Sequence, residues 1–463
     1  MNGAQFHEVK SGIVSGRGGA LLASLAVQNS VEGAECLLTV PKDLILSMET
    51  IREHARSDRD FREVLESLGD FGRTPRGAIL VFVLFQATVS SDDLDAHIGV
   101  HNPFTDYVKS LPLEKLPTFW SSKELRLLHG TTLAPATSAK LRSLANEYDI
   151  LCTSALGTRW YATVQEHLDF DDWLQVDAMY RSRALEYPGI GHCMVPCIDL
   201  ANHAAGEATI ANYDRDADGN AVLVLREGKR LSEGDEVTIT YGDEKGACEM
   251  LFSYGFLDSA MQSAGTLFLG LPLPGSDPAA SAKLRAADCA PGVRLTDAGN
   301  GSIEWSGDFI WMLCVNADDG LQFAIARSTD GSKEIQALLN DEELTGGAAE
   351  LHKRLQEHAL WDVYHLRAVT ILQQRLFDQL QLLYGSQDDC EAVKHGEGTE
   401  VRDQCFEQAM LLRRLEFELL EAAYEDFEHQ KAQLVESQVV QDYLTSMNAA
   451  PAEANDTEGD DFS

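Results

Sequence analysis

The residues whose types and spacing could support chemistry are concentrated between Met194 and Leu257. Three short clusters lie there, each beside an apolar run: Asp-Leu-Ala-Asn-His at 199–203, Ile-Thr-Tyr-Gly at 239–242 and Ser-Tyr-Gly-Phe at 253–256. This pattern favours a pocket whose walls are backbone and tyrosine rather than charged acid–base groups. Tyrosine hydroxyls and backbone carbonyls orient a bound polar group without presenting a full opposite charge.

The charge balance is strongly acidic, and it limits the classes of partner. Across 463 residues there are 37 basic and 74 acidic side chains, a formal net charge of −37. Such a surface repels phosphate backbones, so we expect no direct binding to nucleic acid. Basic protein partners would be attracted. The alternative is that the acidity only keeps the protein soluble.

Cysteine usage and the amino terminus indicate a reducing compartment. Nine cysteines are scattered along the chain without a C-x-x-C pair that could begin a zinc site, so we predict no metal. The first ten residues, MNGAQFHEVK, contain no apolar signal core. The most apolar run, Gly77–Val89, is too short to span a bilayer and predicts a buried helix. We therefore expect a cytoplasmic protein, with the nucleus as a second location, and no membrane partner.

The elements that must position the clusters can be placed from the pattern of apolar residues, glycines and prolines. Short apolar runs separated by glycines predict strands with tight turns from Val9 to Ser47. Residues 48–190 have helical patterns, with Ser121 as an N-cap and Glu124 as its capping-box partner. Strand signals return at four places, and a turn at 218–220 predicts a hairpin. These strands are Val195–Leu200, Ala208–Tyr213, Ala221–Arg226 and Glu236–Tyr241.

The last third of the chain changes character. The proline- and glycine-rich stretch Gly270–Asp277 predicts a domain boundary. Leucines at helical spacing in Leu351–Leu383 and Glu400–Leu434 predict two antiparallel helices, joined by a loop at Tyr384–Thr399. The acidic residues 448–463 predict a disordered tail.

Several motifs, in order along the chain, resemble the SET-domain protein-lysine methyltransferases of the Rubisco large-subunit methyltransferase type. The glycine-rich turn Gly16-Arg17-Gly18-Gly19-Ala20 looks like the amino-terminal SET segment. The other matching strings are Leu111-Pro112, Phe119-Trp120-Ser121, Glu124-Leu125, Leu127–Thr131, Ser182-Arg183 and Met194–His203. Two features depart from the most common patterns. The turn after Gly18 continues Gly-Ala-Leu rather than Leu-Val-Ala, and the zinc-binding cysteine clusters of many histone-directed SET domains are absent from the sequence.

The resemblance implies an α+β fold, in which a SET β-fold with a threaded (pseudoknot) carboxyl-terminal segment carries a helical insert and is followed by a mainly helical domain. The expected divisions are an amino-terminal SET segment at 1–47, the insert at 48–190 and the active-site segment at 191–260. A Rubisco-methyltransferase-like substrate-binding domain at 261–447 and the tail at 448–463 would complete the chain.

The resemblance also implies a cofactor, S-adenosylmethionine, and a role for each matching residue. Tyr241 would be the active-site tyrosine and Tyr254 would line the lysine channel. Arg183 would meet the carboxylate of the cofactor, and Asp199 would form hydrogen bonds within the threaded segment rather than act as a base. The remaining cofactor contacts implied by the family are Arg17, Gly18, Gly19, Asn202, His203, Phe256 and Tyr241 itself.

Such a site suits methyl transfer to lysine because a free lysine, with a pKa near 10.4, leaves only about one amine in a thousand deprotonated at neutral pH. An apolar channel and a nearby sulfonium charge lower that pKa, whereas a carboxylate would hold the unreactive ammonium. Alignment of the amine with the methyl group supplies further acceleration.

Two alternatives remain open at the level of sequence. The acceptor could be histidine, as in an animal relative that methylates actin, or the chain could be a SET-fold module that binds peptides without turnover. Fungal members of the group act on ribosomal proteins and elongation factors, which are basic. We therefore expect a non-histone substrate of the translation machinery, while the oligomeric state cannot be deduced.

Overall fold

Seven stretches of the chain are described by the computed structural model: 3–28, 35–91, 98–258, 260–299, 301–327, 333–395 and 401–449. The predicted disordered tail lies outside the described residues from position 450 onward. The chain forms two units, each with its own core. The first comprises Met1–Leu125, Leu133–Lys245 and Glu249–Leu257, and the second comprises Arg126–Thr132, Gly246–Cys248 and Asp258–Ser463.

The first unit contains small sheets built from strands that are distant in sequence. Two have four strands, in the orders β1-β5-β10-β9 and β2-β3-β12-β8, and the pairs β4-β11 and β6-β7 complete the set. The bounds are β1 Gln5–Phe6, β2 Val9–Val14, β3 Gly18–Ala23, β4 Val27–Gln28, β5 Cys36–Val40, β6 Ala184–Tyr187, β7 Gly191–Met194, β8 Asn202–His203, β9 Ala211–Arg215, β10 Ala221–Leu225, β11 Arg230–Leu231 and β12 Glu236–Ile239.

Strand β12 is the element that brings the amino-terminal hairpin next to the Asn-His segment. It pairs antiparallel with β3, where Glu236 lies opposite Leu22, and parallel with β8, where Thr238 lies opposite Asn202. Side chains alternate across a strand, so β12 turns Val237 and Ile239 into a core that also holds Leu21 and Leu223. Residues near positions 20, 202 and 240 therefore meet at one place.

The insert between β5 and β6 is helical, as predicted. Its helix α4 was expected to be buried, and its central residues from Gly77 to Phe85 are all inaccessible to solvent. Thr74 caps this helix by accepting a hydrogen bond from Gly77 N, and Pro75 occupies the first turn, where no backbone donor is needed. The helices are α1 Met48–Ser57, α2 Arg59–Ser67, α3 Gly69–Arg73, α4 Pro75–Val89, α5 Pro103–Ser110, α6 Ser122–Leu125, α7 Leu133–Ala155, α8 Tyr161–His167 and α9 Phe170–Arg183.

Two local predictions are confirmed in detail. Ser121 Oγ accepts from Glu124 N at 3.2 Å and Ser121 N donates to Glu124 Oε2 at 2.8 Å, which is the expected capping box. The hairpin between β9 and β10 turns at Asp216–Asn220, where the Asp216 carboxylate accepts from Asp218 N and Asn220 N. No described helix is both long and apolar enough to cross a membrane.

Three predicted strands are wrong in part. The stretch predicted at Val195–Leu200 is a turn followed by a 3₁₀ helix at Ile198–Leu200, because Pro196 has no N–H to give a strand neighbour and Cys197 has a φ of 75°. The strand predicted at Ala208–Tyr213 begins only at Ala211, after a 3₁₀ turn at Gly206–Ala208. Strand β12 ends at Ile239, so Tyr241 lies just beyond it rather than at its end.

The second unit combines helices with two three-stranded sheets that the sequence pattern did not predict. The sheets are ordered β13-β14-β15 and β16-β17-β18. The strand bounds are β13 Thr266–Gly270, β14 Gly292–Asp297, β15 Ile303–Ser306, β16 Leu321–Arg327, β17 Lys333–Leu339 and β18 Glu342–Glu343. Helix α10, Ala247–Tyr254, belongs to the first unit from Glu249 onward. The helices of the second unit are α11 Ala280–Ala286, α12 Phe309–Cys314, α13 Gly347–Gln356, α14 Trp361–Gly385, α15 Gln387–His395, α16 Asp403–Glu436 and α17 Gln438–Ala449.

The predicted antiparallel helix pair is α14 and α16. Gln373 contacts Lys431 and Leu383 contacts Arg413, so residue numbers rise along one helix as they fall along the other. The predicted loop at 384–399 is wrong over Gln387–His395, which forms α15, and residues 396–400 lie outside the described part of the chain. The predicted helix over Leu351–Leu383 is interrupted between α13 and α14, at 357–360.

Candidate active site

The glycine-rich turn between β2 and β3 presents backbone to solvent. Gly16 and Gly18 have φ values of 80° and 81°, a conformation that side-chain-bearing residues rarely adopt, and Arg17 N donates to Val14 O at 3.1 Å to close the turn. Gly18 and Gly19 are exposed, and a Cβ placed on Gly18 would meet no atom within 4 Å. Positive φ, rather than lack of room, therefore explains the glycine at position 18.

Glu236 joins this turn to the Asn-His segment. Its carboxylate accepts from Arg17 Nη1 at 3.3 Å and from Asn202 Nδ2 at 2.7 Å. Asn202 Nδ2 also lies 3.4 Å from the carbonyl oxygen of Gly19. Three segments distant in sequence are thus held together through one carboxylate, which no local sequence pattern marks.

His203 connects the Asn-His segment to Tyr241. The backbone N–H of Tyr241 donates to His203 Nδ1 at 3.1 Å. Because Nδ1 accepts this hydrogen bond, the neutral imidazole carries its proton on Nε2, an assignment made from the heavy-atom geometry. The imidazole and phenol rings lie 5.2 Å apart between centroids.

An aromatic cluster extends from His203 through Tyr241. The rings of Tyr241 and Tyr254 are 4.5 Å apart, and Phe256 lies 6.4 Å from His203. The Tyr241 hydroxyl donates to Ala201 O at 3.1 Å, and the Tyr254 hydroxyl donates to Tyr241 O at 3.4 Å. Burial raises the pKa of Tyr241 well above its usual range, with Arg183 opposing the rise, so Tyr241 stays a neutral phenol at physiological pH.

Arg183 occupies the end of α9 and is held by two carboxylates. Its Nε and Nη2 donate to Glu114 Oε1 at 3.1 and 3.0 Å, and its Nη1 donates to Asp199 O at 3.1 Å and lies 3.5 Å from Asp199 Oδ2. Asp199, only 2% exposed, also accepts from the Tyr107 hydroxyl at 2.7 Å. Asp199 is therefore engaged in hydrogen bonds, as its predicted role requires. A cofactor carboxylate at Arg183 would have to compete with Glu114 for the guanidinium.

A cavity of about 410 Å³ opens beside this ion-pair network. Arg183 and Asp199 contribute to its wall, together with mainly apolar residues of α5 and the following turn such as Phe104, Leu111 and Pro112. Its described lining contains none of the residues of the aromatic cluster. This cavity is thus adjacent to the predicted site and does not coincide with it.

Most of the predicted site residues of the first unit contact one another, whereas Arg183 is bonded to Glu114 and Asp199. Contacts run from Arg17 and Gly19 through Glu236 to Asn202, and from His203 to Tyr241, Tyr254 and Phe256. Their individual roles in binding and catalysis stay predictions. Glu236, Glu114 and Lys245 were missed because no local pattern distinguishes them from surface charges. Within the described residues no group of three His, Cys, Asp or Glu could hold a metal ion.

The residues present fit S-adenosylmethionine, which supplies a methyl group activated by a sulfonium. Gly18 and Gly19 are exposed and carry no side chains, so a ligand can approach the backbone there, and the Asn202 amide lies beside Gly19 O. His203 and Phe256 offer ring surface for an adenine, while the neutral Tyr241 suits a sulfonium methyl because it carries no charge. Arg183 fits a carboxylate only if Glu114 releases it.

Comparison with known proteins places these observations in context. No protein-family model matches the chain. It is 26% identical over 357 residues to the SET domain-containing protein 8 of Schizosaccharomyces pombe, covering 75% of this chain and 77% of that protein. It is 28% identical over 173 residues to the chloroplastic Rubisco large-subunit N-methyltransferase of Nicotiana tabacum, covering 35% of each chain.

A solved structure extends the likeness to nearly the whole chain. The SET domain of LSMT, determined with lysine and AdoHcy bound, superposes with a TM-score of 0.65 at 18% identity, covering 96% of this chain and 92% of that chain. This match confirms the predicted α+β SET fold with its helical insert and helical carboxyl-terminal region. The chain therefore has the SET fold, and its sequence is similar to a SET-domain protein of fission yeast and to a Rubisco large-subunit N-methyltransferase.

Proposed function

We propose that the chain is an S-adenosylmethionine-dependent protein-lysine N-methyltransferase. The observation that carries the proposal is the position of Tyr241, whose neutral hydroxyl is anchored on Ala201 O and whose ring packs between His203 and Tyr254. Since this hydroxyl donates its hydrogen bond to Ala201 O, its oxygen lone pairs are available to accept from an acceptor N–H. The arrangement orients an amine without adding charge.

The neighbouring carboxylates support the same function. Asp199 and Glu114 are both bonded to Arg183, so neither is free to hold an acceptor ammonium in its unreactive form. An acceptor amine would meet a phenol and backbone carbonyls instead, and would lose its proton more readily. Similarity to the N-lysine methyltransferase setd6 of Xenopus laevis, 26% identical over 254 residues and covering 52% of each chain, supports lysine rather than histidine as the acceptor.

We further propose that the substrate is a basic, non-histone protein of the cytoplasm or nucleus, a ribosomal protein or a translation elongation factor. The net charge of −37 favours encounter with a basic partner and disfavours nucleic acid itself. Such an attraction between opposite charges weakens as salt is raised.

The proposal is tested by incubating the purified chain with methyl-labelled S-adenosylmethionine and protein from cells that lack it. Separate incubations use isolated ribosomal proteins, elongation factors and histones, and mass spectrometry then locates each label. We expect label on lysine in a ribosomal protein or elongation factor, decreasing at high salt.

Three other outcomes are distinguishable. Label on histidine would establish the histidine methyltransferase alternative, and label only on histones would contradict the proposed substrate class. Absence of label from every protein, despite measurable binding of AdoHcy, would favour a SET-fold module without turnover.

A further inference from the structure

A lysine of the chain itself lies in the aromatic cluster. Lys245 Nζ donates to the Tyr254 hydroxyl at 2.9 Å and lies 5.0 Å from the centroid of that ring. Glu249, on the same helix as Tyr254, is its carboxylate partner at 3.5 Å. The side chain is 28% exposed, so most of it is packed against protein. The cation is therefore positioned and is not a freely moving surface lysine.

The turn after β12 is built to place this cation. Lys245 N donates to Gly242 O at 3.2 Å, which folds the chain back on itself. Gly242 has a φ of 129°, and a Cβ there would lie 3.1–3.2 Å from Cγ, Cδ and Cε of Lys245. The absence of a side chain at position 242 lets the Lys245 stem lie along the backbone and reach Tyr254. The glycine after Tyr241 is thus explained by the room that the Lys245 side chain needs.

The ammonium lies among the tyrosines that would line an acceptor channel. Tyr254 packs against Tyr241, and Tyr213 on β9 is close enough to respond to both Tyr254 and Lys245. Burial raises the pKa of Tyr213, Tyr254 adds to that rise, and the Lys245 charge opposes it. Lys245 and Tyr254 therefore both act electrostatically on Tyr213, and Tyr254 also packs against Tyr241.

We propose that the Lys245 ammonium is a fixed positive charge in the acceptor channel that promotes release of the proton from the bound acceptor lysine. The inference rests on the proposed function, because it assigns a role within that reaction. A second ammonium next to Lys245 is disfavoured by repulsion, whereas a neutral amine is not. A lysine beside another cation is activated as a nucleophile by the same effect.

The step balances without any further reactant. The acceptor ammonium gives one proton to water, and the lone pair of the resulting amine attacks the methyl carbon. The new C–N bond forms as the C–S bond breaks, and the bonding pair passes to sulfur. The sulfonium becomes the neutral thioether of AdoHcy, and the acceptor nitrogen takes the positive charge as a methylated ammonium. Lys245 is charged before and after this step and transfers no proton.

The groups facing Lys245 keep it charged over the working range of pH. Burial alone would lower its pKa, but the hydrogen bond to Tyr254 and the nearby Glu249 carboxylate raise it overall. The described charged or titratable groups around it are Tyr254 and Glu249 on α10 and Tyr213 on β9. Glu249 is 53% exposed, so solvent screens its negative charge and it only partly neutralises the Lys245 ammonium.

Kinetics of Lys245 variants test the inference, with the acceptor protein isolated in the labelling experiment as the probe. Repulsion between the Lys245 ammonium and the acceptor ammonium destabilises the enzyme–substrate complex but not the free enzyme and substrate. It therefore raises kcat and KM together. We expect Lys245→Met to lower both by about tenfold at pH 7 and to move the rising limb of kcat against pH upward by about one unit. Lys245→Arg keeps the charge and should keep the profile of the unaltered chain.

The matched control is Lys229→Met, since Lys229 is 21% exposed and paired with Glu207 but lies outside the cluster. It should leave kcat and its pH profile unchanged. Unfolding midpoints of every variant, with Lys245→Gln as a second neutral replacement, separate loss of charge from loss of folding. An active chain whose folded Lys245→Met and Lys245→Gln variants keep the original pH profile overturns this inference alone. A chain that labels no acceptor overturns the proposed function, and the inference with it.

Discussion

Replacing Tyr241 with phenylalanine is expected to reduce kcat for methyl transfer by about a hundredfold or more while the affinity for AdoHcy stays within about threefold. The ring would keep its packing between His203 and Tyr254, whereas the hydroxyl that donates to Ala201 O would be lost. An acceptor amine would then lose the phenol oxygen that accepts its N–H. The rate is measured by label transfer and AdoHcy binding by calorimetry.

Tyr148→Phe is the matched control for this change. Tyr148 also donates its hydroxyl to a backbone carbonyl, that of Leu168, at 3.0 Å, but it lies in the helical insert. Both substitutions remove one hydrogen bond of the same kind, so they should cost a similar amount of stability, about 1 kcal/mol. Only Tyr241→Phe should lose activity. Equal activity of the two variants would remove Tyr241 from the mechanism.

Replacing Arg183 with methionine is expected to lower the free energy of unfolding by about 3 kcal/mol or more at pH 8. The change leaves the buried carboxylate of Asp199 without its cation. Burial raises the pKa of Asp199, and Arg183 now opposes that rise. Without Arg183 the pKa of Asp199 in the folded state would rise further above its value in the unfolded chain. The Arg183→Met variant therefore keeps its stability at low pH, where Asp199 is protonated, and loses it as pH rises through the folded-state pKa. Urea unfolding at pH 5 and pH 8 measures the difference.

A double-mutant cycle separates this structural role of Arg183 from cofactor binding. Arg183→Met combined with Asp199→Asn should recover much of the lost stability, because the more deeply buried of the two carboxylate charges is removed and only Glu114, 17% exposed, is left without its cation. Arg17→Met is the control, since the Arg17–Glu236 pair is half exposed on the arginine side and should contribute less than about 1 kcal/mol. If Arg183→Met is as harmless as Arg17→Met, the buried network does not stabilise the fold.

The sequence predicted those parts of the fold that depend on local signals. The capping box at Ser121 and Glu124, the hairpin at Asp216–Asn220 and the buried helix α4 each follow from residue types a few positions apart. The motif strings placed Asn202, His203 and Tyr241 correctly in one group, although only pairing of β12 with β3 and β8 brings them together.

The predictions failed where conformation depends on a single unusual residue or on distant neighbours. The apolar run Val195–Leu200 has the composition of a strand, but Pro196 and the positive φ of Cys197 turn the chain. The strands between Thr266 and Glu343 belong to two small sheets whose partners form no clear alternating pattern in the sequence. Strands in short sheets of this kind are stabilised by pairing with their neighbours, and the sequence of a single strand does not show which neighbours it will have.

The charged residues of the site were the hardest to predict. Glu236 would pass as an ordinary strand residue, and Lys245 lies in a polar turn, Gly-Asp-Glu-Lys-Gly. Each acquires its importance from a partner distant in sequence or across a turn: Arg17 and Asn202 for Glu236, and Tyr254 for Lys245. Motif matching finds residues that recur in a family and passes over charges whose role depends on tertiary contacts.

The central claim is that the turn at Gly18, the Asn202-His203 segment and Tyr241 form a single crevice for the methyl donor and acceptor. A crystal structure of the chain with AdoHcy tests it most directly. The predicted result has AdoHcy against the backbone of Gly18 and Gly19 and beside Asn202 and His203, with its sulfur facing Tyr241. AdoHcy seated only in the cavity lined by Phe104, Leu111 and Pro112, away from Tyr241, would contradict the claim.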